Sequence, residues 1–326
     1  MIYTLVITCI ITGCKGDHSE KASKADKDPE YRWEETDTTL KFISGSDLIW
    51  QYNFNNRKGK PYFHPLNVKG INLTCESPDD HTWHLGLWFS WKFINGRNYW
   101  EYMNGFSTEE TGYRSEGVTE IKKILINKNK DYSTIIDLII SYHPEGGSDI
   151  IKERRRLFIS PPLQDGSYYI DYEFNFRATG KDVLLDRTPV LGEPGGQSWG
   201  GYAGMSIRYN QKLGDNVHIL PDSIKSGSKK GFMYMGFKTQ GGMAGLSILR
   251  HPMLSTEATS WYIISNPEVP FYYYSPSVLY DNNYLLREGE ELRLKYRILV
   301  LPGVINEEKL IMKYREYLKS EVLKVP

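Results

Sequence analysis

Two-residue alternation, an abundance of aromatic side chains and a single stretch of helical period predict an all-β chain. The expected architecture is a large antiparallel β-sandwich with one C-terminal helix. Alternation is clearest at Leu292, Leu294, Tyr296, Ile298 and Val300, which fall on one face while Arg293, Lys295 and Arg297 fall on the other. Tyr168, Ile170, Tyr172, Phe174 and Phe176 repeat this against Tyr169, Asp171, Glu173, Asn175 and Arg177. The 24 Tyr, 12 Phe and 8 Trp suit pleated surfaces. Helical spacing occurs once, at Leu310, Ile311, Tyr314, Tyr317 and Leu318, behind Asn306 as N-cap.

Residues 1–13 are expected to be a lipoprotein signal peptide. A short apolar run from Ile2 to Ile11 ends in Thr12-Gly13-Cys14, and it is too brief for a spanning helix, which needs about 20 apolar residues. Cleavage before Cys14 and lipidation of its thiol would follow. Two features depart from the usual pattern: no Lys or Arg precedes the run, and Thr12 is a less common small residue there. A buried N-terminal strand or helix is the alternative. Residues 14–30, rich in Lys, Asp, Glu and Ser, bury too little surface to fold and read as a flexible tether. Residues 31–326 read as a single sandwich domain, since no internal repeat or low-complexity linker divides them.

Within that domain, strands are expected near 37–43, 48–54, 85–91, 118–127, 131–142, 150–159, 203–209, 243–249 and 258–264, in addition to the two above. Turns at Glu145-Gly146-Gly147, Asp165-Gly166 and Gly241-Gly242 separate several of them. The 40 basic and 40 acidic residues cancel, which argues against nucleic acid as a partner. Cys75 is the one thiol left in the mature domain, so no disulfide framework is possible. In a strand it reads as a small buried residue.

The segment from Tyr62 to Glu101 is richest in chemistry. It holds three of the seven histidines, His64, His81 and His84. Alternation from 84 onward places His84, Gly86, Trp88 and Ser90 on one face, with Leu85, Leu87, Phe89 and Trp91 on the other. Asp80 and His81 would sit in the loop that feeds this strand. A histidine at a strand mouth beside a carboxylate can act as acid or base near neutral pH. A divalent metal on His64, His81, His84 and Asp80 is a second reading, although the spacing is no metal signature and no cofactor is expected. Hydrogen-bonded structural histidines are the third.

In Lys152-Glu153-Arg154-Arg155-Arg156, Glu153 and Arg155 share a face, and Lys152, Arg154 and Arg156 the other. Such a strand either lines a cleft for an acidic or hydroxylated ligand or is an edge charged against aggregation. The Gly-rich stretch Gly192 to Tyr202 lacks a phosphate-loop ending and feeds a strand, so a mobile, aromatic-tipped loop over a cleft fits it better. Gly204, Ser206 and Arg208 share a face, which would carry Arg208 beneath that loop. Arg250-His251-Pro252 and Trp261 form a possible second cluster.

The chain resembles a bacterial family catalogued as a domain of unknown function and often labelled "methane oxygenase PmoA". The resemblance lies in Lys60-Pro61-Tyr62-Phe63-His64-Pro65-Leu66, Asp80-His81-Thr82-Trp83-His84-Leu85-Gly86-Leu87-Trp88, Asn95-Gly96, Trp100 and Glu153-Arg154. It continues through Gly201 to Arg208, His251-Pro252 and Glu288 to Arg297. The oxygenase label conflicts with the absence of long apolar segments after the signal. The resemblance implies a setting among glycan-degradation proteins, and the β-rich pattern is similar to the supersandwich of sugar mutarotases.

The expected function is therefore a lipid-anchored carbohydrate-active enzyme of the cell envelope, acting on an oligosaccharide by hydrolysis. Epimerase-like chemistry and non-catalytic glycan binding are the alternatives. His81, His84, Asp80 and Glu153 are the candidate acid–base groups. His64, Arg154, Arg208 and His251 are candidates for holding substrate, and Trp83, Trp88 and Trp199 for stacking on it. This assignment requires the imidazoles near position 80 and the Glu-Arg ladder near 153 to meet in one hollow.

Overall fold

The alternating strands pair entirely antiparallel into two main sheets, packed face to face as a β-sandwich. The computed structural model describes residues 30–101, 117–252 and 259–320. The expected signal peptide, lipidated Cys14 and nearly all of the tether lie outside the described residues.

The first sheet runs Tyr31–Glu35, Thr39–Ser44, Asp47–Asn53, Tyr62–Val68, Leu87–Ser90, Gly204–Arg208, Phe271–Ser277 and Ser260–Asn266, with Ile71–Asn72 paired beside Tyr62–Val68. The second runs Val217–Leu220, Phe232–Thr239, Gly242–Arg250, Glu291–Pro302, Tyr168–Ala178, Ile151–Ile159, Thr134–Pro144 and Gly117–Lys128. A small third sheet joins Tyr284–Leu286, Val183–Asp186, Phe93–Ile94 and Arg97–Asn98. Strands missing from the sequence reading include Tyr62–Val68, Phe232–Thr239 and Phe271–Ser277. Their apolar residues occupy both faces, so the period-two signal is lost.

Aromatic rings fill the space between the sheets. Phe89 of the first meets Phe174 of the second with centroids 4.6 Å apart, and Phe63 meets Tyr172 edge-on at 6.3 Å. Asn306 caps the helix Glu307–Lys319, its side chain accepting from the Lys309 amide at 2.9 Å. The helix covers the outer face of the second sheet, where Leu310 and Tyr317 join Phe232, Leu249, Leu299 and Leu301. That cover explains why the polar face of Tyr168–Ala178 is also buried: Asp171 takes a two-pronged bond from Arg297 and Glu173 pairs with Lys295.

Glu153 and Arg155 do share a face, but it points into the sandwich core. Both are fully buried, at 0% and 1% exposure. Arg155 bonds Glu153 through Nε and Nη2, Tyr142 donates its hydroxyl to Glu153 at 2.6 Å, and the guanidinium lies 4.8 Å from the Phe174 ring centre. Glu153 is thus a core residue and does not meet the histidines. An inward-facing charge pair completed by a tyrosine satisfies its own valences, so it needs no ligand. Arg154 faces the opposite side, in a shallow hollow with Lys123, Leu125 and Ile139 on the outer surface of the second sheet. His251 follows the strand Gly242–Arg250 and packs edge-on against Tyr317, centroids 5.9 Å apart. Neither of these residues shares the hollow of His81. Arg250 is likewise structural, since its guanidinium donates to the carbonyls of Lys230 and Thr259.

Removing one member of the buried pair strands the other. Glu153→Ala is expected to destabilise the domain by about 3–5 kcal/mol. The double replacement Glu153→Leu with Arg155→Leu should cost markedly less. Denaturant unfolding of both variants checks this, and equal losses would contradict the pairing.

Candidate active site

The sheet face turned away from the second sheet carries a separate hydrophobic cluster in which Leu85 joins the aromatic Tyr62, Trp88, Trp100, Tyr262 and Tyr273. The loop from Cys75 to Leu85 folds over it in successive turns: the Ser77 amide donates to His84 O, His81 to Pro78 O and His84 to His81 O. These turns stack the imidazoles of His81 and His84, centroids 4.6 Å apart at 29°. The expected alternation from 84 onward fails at Gly86, whose φ is +80°. A Cβ there would stand 2.5 Å from the Phe63 carbonyl oxygen, so only glycine permits this close approach. The turn puts Leu85 on the same side as Trp88, and Gly86 serves packing without opening the surface.

Arg208 anchors the loop from below. It ends the strand Gly204–Arg208, its side chain is fully buried, and Nη2 donates to Asp80 Oδ2 at 2.6 Å. The guanidinium carbon also lies over the Phe271 ring, 3.5 Å from its centre. Asp80 Oδ2 in turn accepts from His81 Nδ1 at 2.9 Å. Burial would raise the Asp80 pKa, but Arg208 and the His81 bond outweigh it and hold the carboxyl below its ordinary value. An ionised Asp80 only accepts, so the proton of neutral His81 belongs on Nδ1 and Nε2 keeps the lone pair. Burial pushes the His81 pKa down, opposed by Asp80. His84 is driven much lower, by burial first and then by His81, Arg208 and Lys60, and its buried Nδ1 has no hydrogen-bond partner among the described residues.

Both imidazoles line a cavity of about 420 Å³, within the usual range for small-molecule sites. Trp83 and Phe271 flank His81 at 5.1 and 5.0 Å. Trp100, Tyr202 and Tyr262, packed on one another, form a further wall, and the half-exposed Trp199 also lines the cavity. Glu101 is the carboxylate on this wall. It is buried, ion-paired with Lys92, and reached by the Tyr202 hydroxyl at 3.4 Å. Behind it Lys60, itself buried, donates to the Trp100 carbonyl. Burial pushes the Lys60 pKa down to about 7, against the pull of Glu101.

The structure therefore brings together His81, His84, Asp80, Trp83, Trp199 and Arg208, with Arg208 acting through Asp80. Trp88 is nearby but only 1% exposed, packed under His84 and Trp100, so it offers no face to a ligand. His64 lies on the neighbouring strand, where Nδ1 meets Thr74 Oγ1 at 3.0 Å, outside the cavity lining. Among the described residues no group of three or more His, Cys, Asp or Glu side chains is placed to hold a metal ion. Cys75 is half-buried between backbone bridges, and burial raises its pKa.

Glu101, Lys60, Tyr202, Tyr262 and Phe271 were not among the sequence candidates. A usable signal for Glu101 did exist. Asn95-Gly96, both at positive φ, forms a tight turn between Phe93–Ile94 and Arg97–Asn98, which folds Lys92 back toward Glu101.

The chain belongs to the family of unknown function DUF6807, whose pattern spans residues 39–314. No curated protein matches it. Among solved structures it is similar to a polysaccharide lyase, with 11% identity and TM-score 0.31, covering 89% of this chain and 34% of the lyase. It is also similar to the galactosidase domain of an α-galactosidase–sucrose kinase, with 9% identity and TM-score 0.26, covering 82% and 40%. A galactose mutarotase-like protein from Lactobacillus casei gives 11% identity and TM-score 0.21, covering 83% and 100%. The chain thus spans about a third of the lyase and two-fifths of the galactosidase chain. Scores this low carry no weight for chemistry, which rests on the cavity itself.

The lowered Lys60 pKa has a consequence for stability. Between pH 7 and its unfolded value of 10.5 the unfolded chain binds a proton at Lys60 that the folded chain does not. This group therefore adds stability as pH rises through that window and withholds it as pH falls to 7. Lys60→Met should flatten the rise in unfolding free energy between pH 7 and 9. Denaturant titrations at both pH values measure the slope, and a slope equal to the parent's would contradict the assignment.

Proposed function

We propose that the protein is a carbohydrate-active enzyme of the cell envelope, anchored through Cys14, with His81 as the base that acts on a sugar held in the aromatic cavity. The carrying observation is the chain Arg208–Asp80–His81, which fixes the imidazole in one tautomer with Nε2 as the lone-pair nitrogen of a cavity-lining side chain. Rings on several walls suit the C–H faces of a pyranose, while His81 and the Glu101–Lys92 pair offer partners for its hydroxyls.

Proton transfer at the sugar, of the epimerase or mutarotase kind, is the reaction best matched to this set. His81 Nε2 takes the proton of the anomeric hydroxyl as the C1–O5 bond breaks and water gives a proton to the ring oxygen. Ring closure on the other face of the resulting aldehyde reverses both transfers. Hydrolysis in its common form uses two carboxyl groups about 5–9.5 Å apart on either side of the bond. Asp80 is committed to Arg208 and His81, which leaves Glu101 as the carboxylate on the wall. Hydrolysis of an oligosaccharide is the second reading, favoured by Glu101 lining the same cavity as His81. The concave setting of the rings supports both readings over a flat glycan-binding platform.

A panel of mono- and oligosaccharides followed by proton NMR separates the readings, through anomer or epimer exchange in one case and new reducing ends in the other. His81→Ala should lower turnover by about 10²–10⁴-fold. Because burial holds the His81 pKa below the ordinary imidazole value, activity should persist at neutral pH and fall as the solution is acidified through the lowered pKa. Turnover unchanged in His81→Ala would remove this residue from the mechanism.

A further inference from the structure

The loop that carries Trp199 is built to hold one side chain outward. Arg187 grips Glu193 at 2.6 Å, and Glu193 Oε2 accepts from the Val190 amide at 2.9 Å. Backbone bonds then close the loop on itself: Gln197 N to Pro189 O, Gly200 N to Gln197 O and Gly201 N to Thr188 O. Gly196 and Gly200 press so closely on the opposite strand of the loop that a Cβ would stand 2.1 Å and 2.0 Å from the carbonyl oxygens of Val190 and Pro189. A frame this tightly bonded leaves little conformational freedom to lose when something binds.

What the frame presents is an indole 51% exposed, whereas Trp50, Trp88, Trp91, Trp100 and Trp261 are all essentially buried. Trp199 both lines the cavity and faces solvent, at 33° to Tyr202, which in turn packs on Trp100 at 5.0 Å. A run of tilted, contacting aromatic rings therefore leads from the cavity wall out to its mouth. A rigid indole gives large contact area at low entropic cost, and its flat face matches the C–H face of a pyranose.

We infer that Trp199 forms an outer subsite for the second unit of an oligosaccharide whose terminal unit occupies the cavity; this rests on the carbohydrate reading above. The substrate class is then a chain end and not a free monosaccharide. Trp199 belongs to none of the buried clusters formed by the described residues, so its replacement tests binding without removing a core residue.

The test is isothermal titration of the protein with glucose, galactose and glucuronic acid, and with the β-linked disaccharides and tetrasaccharides of each. The parent is expected to bind the favoured disaccharide at least about tenfold more tightly than its monosaccharide. In Trp199→Ala that ratio should collapse toward one, and Trp199→Tyr should restore part of it. Equal affinity for monosaccharide and disaccharide in the parent, or an unchanged ratio in Trp199→Ala, would overturn the outer subsite and leave the carbohydrate reading standing. Binding of none of these sugars would overturn that reading, and the subsite with it.

Discussion

A single buried guanidinium organises the candidate site. Arg208 ends a central strand whose neighbours on both sides are paired, so its position is as rigid as the sheet itself. From there it holds Asp80, and Asp80 holds His81. Two backbone bonds reinforce the link, Arg208 N to Gly86 O and Cys75 N to Arg208 O, and they stitch both ends of the histidine loop to the same strand. A loop residue thereby acquires the precision of a strand residue, which is what a proton-transfer group needs.

The two sides of the first sheet divide the labour of the fold. Phe63, Leu87, Phe89, Met205 and Ile207 face the second sheet and supply the shared core. Tyr62, Trp88, Ser206, Arg208 and Tyr273 face away and support the cavity from beneath, with Tyr273 among its lining. Single-residue alternation thus places stability and chemistry on opposite faces of the same strands. The second sheet repeats the scheme, with Glu153 and Arg155 as the charged exception in its inner face and the C-terminal helix covering its outer one.

Much of this was legible from residue order. Strands with one polar face, such as Glu291–Pro302, announced themselves, as did the Asn306-capped helix. The His81–Asp80 pairing followed from adjacency at a strand mouth, and Trp199 from an aromatic in a Gly-rich loop. What failed had physical causes. Phe271-Tyr272-Tyr273-Tyr274 is aromatic on both faces, so alternation could not mark it as a strand or Phe271 as a wall. Glu153 and Arg155 looked like a binding cleft because charge at an inward position is rare, and sequence does not show that Tyr142, eleven residues away on the next strand, completes the pair. Gly86 broke the period of its own strand through a positive φ.

The most direct measurement is the imidazole state of His81, read by nitrogen-15 and carbon-13 NMR across a pH titration of the parent and of Asp80→Asn. The account requires His81 to titrate below the ordinary imidazole range, to carry its proton on Nδ1 when neutral, and to titrate at lower pH still when the Asp80 charge is removed. A proton on Nε2 in the parent, or a His81 titration indifferent to Asp80→Asn, would contradict it.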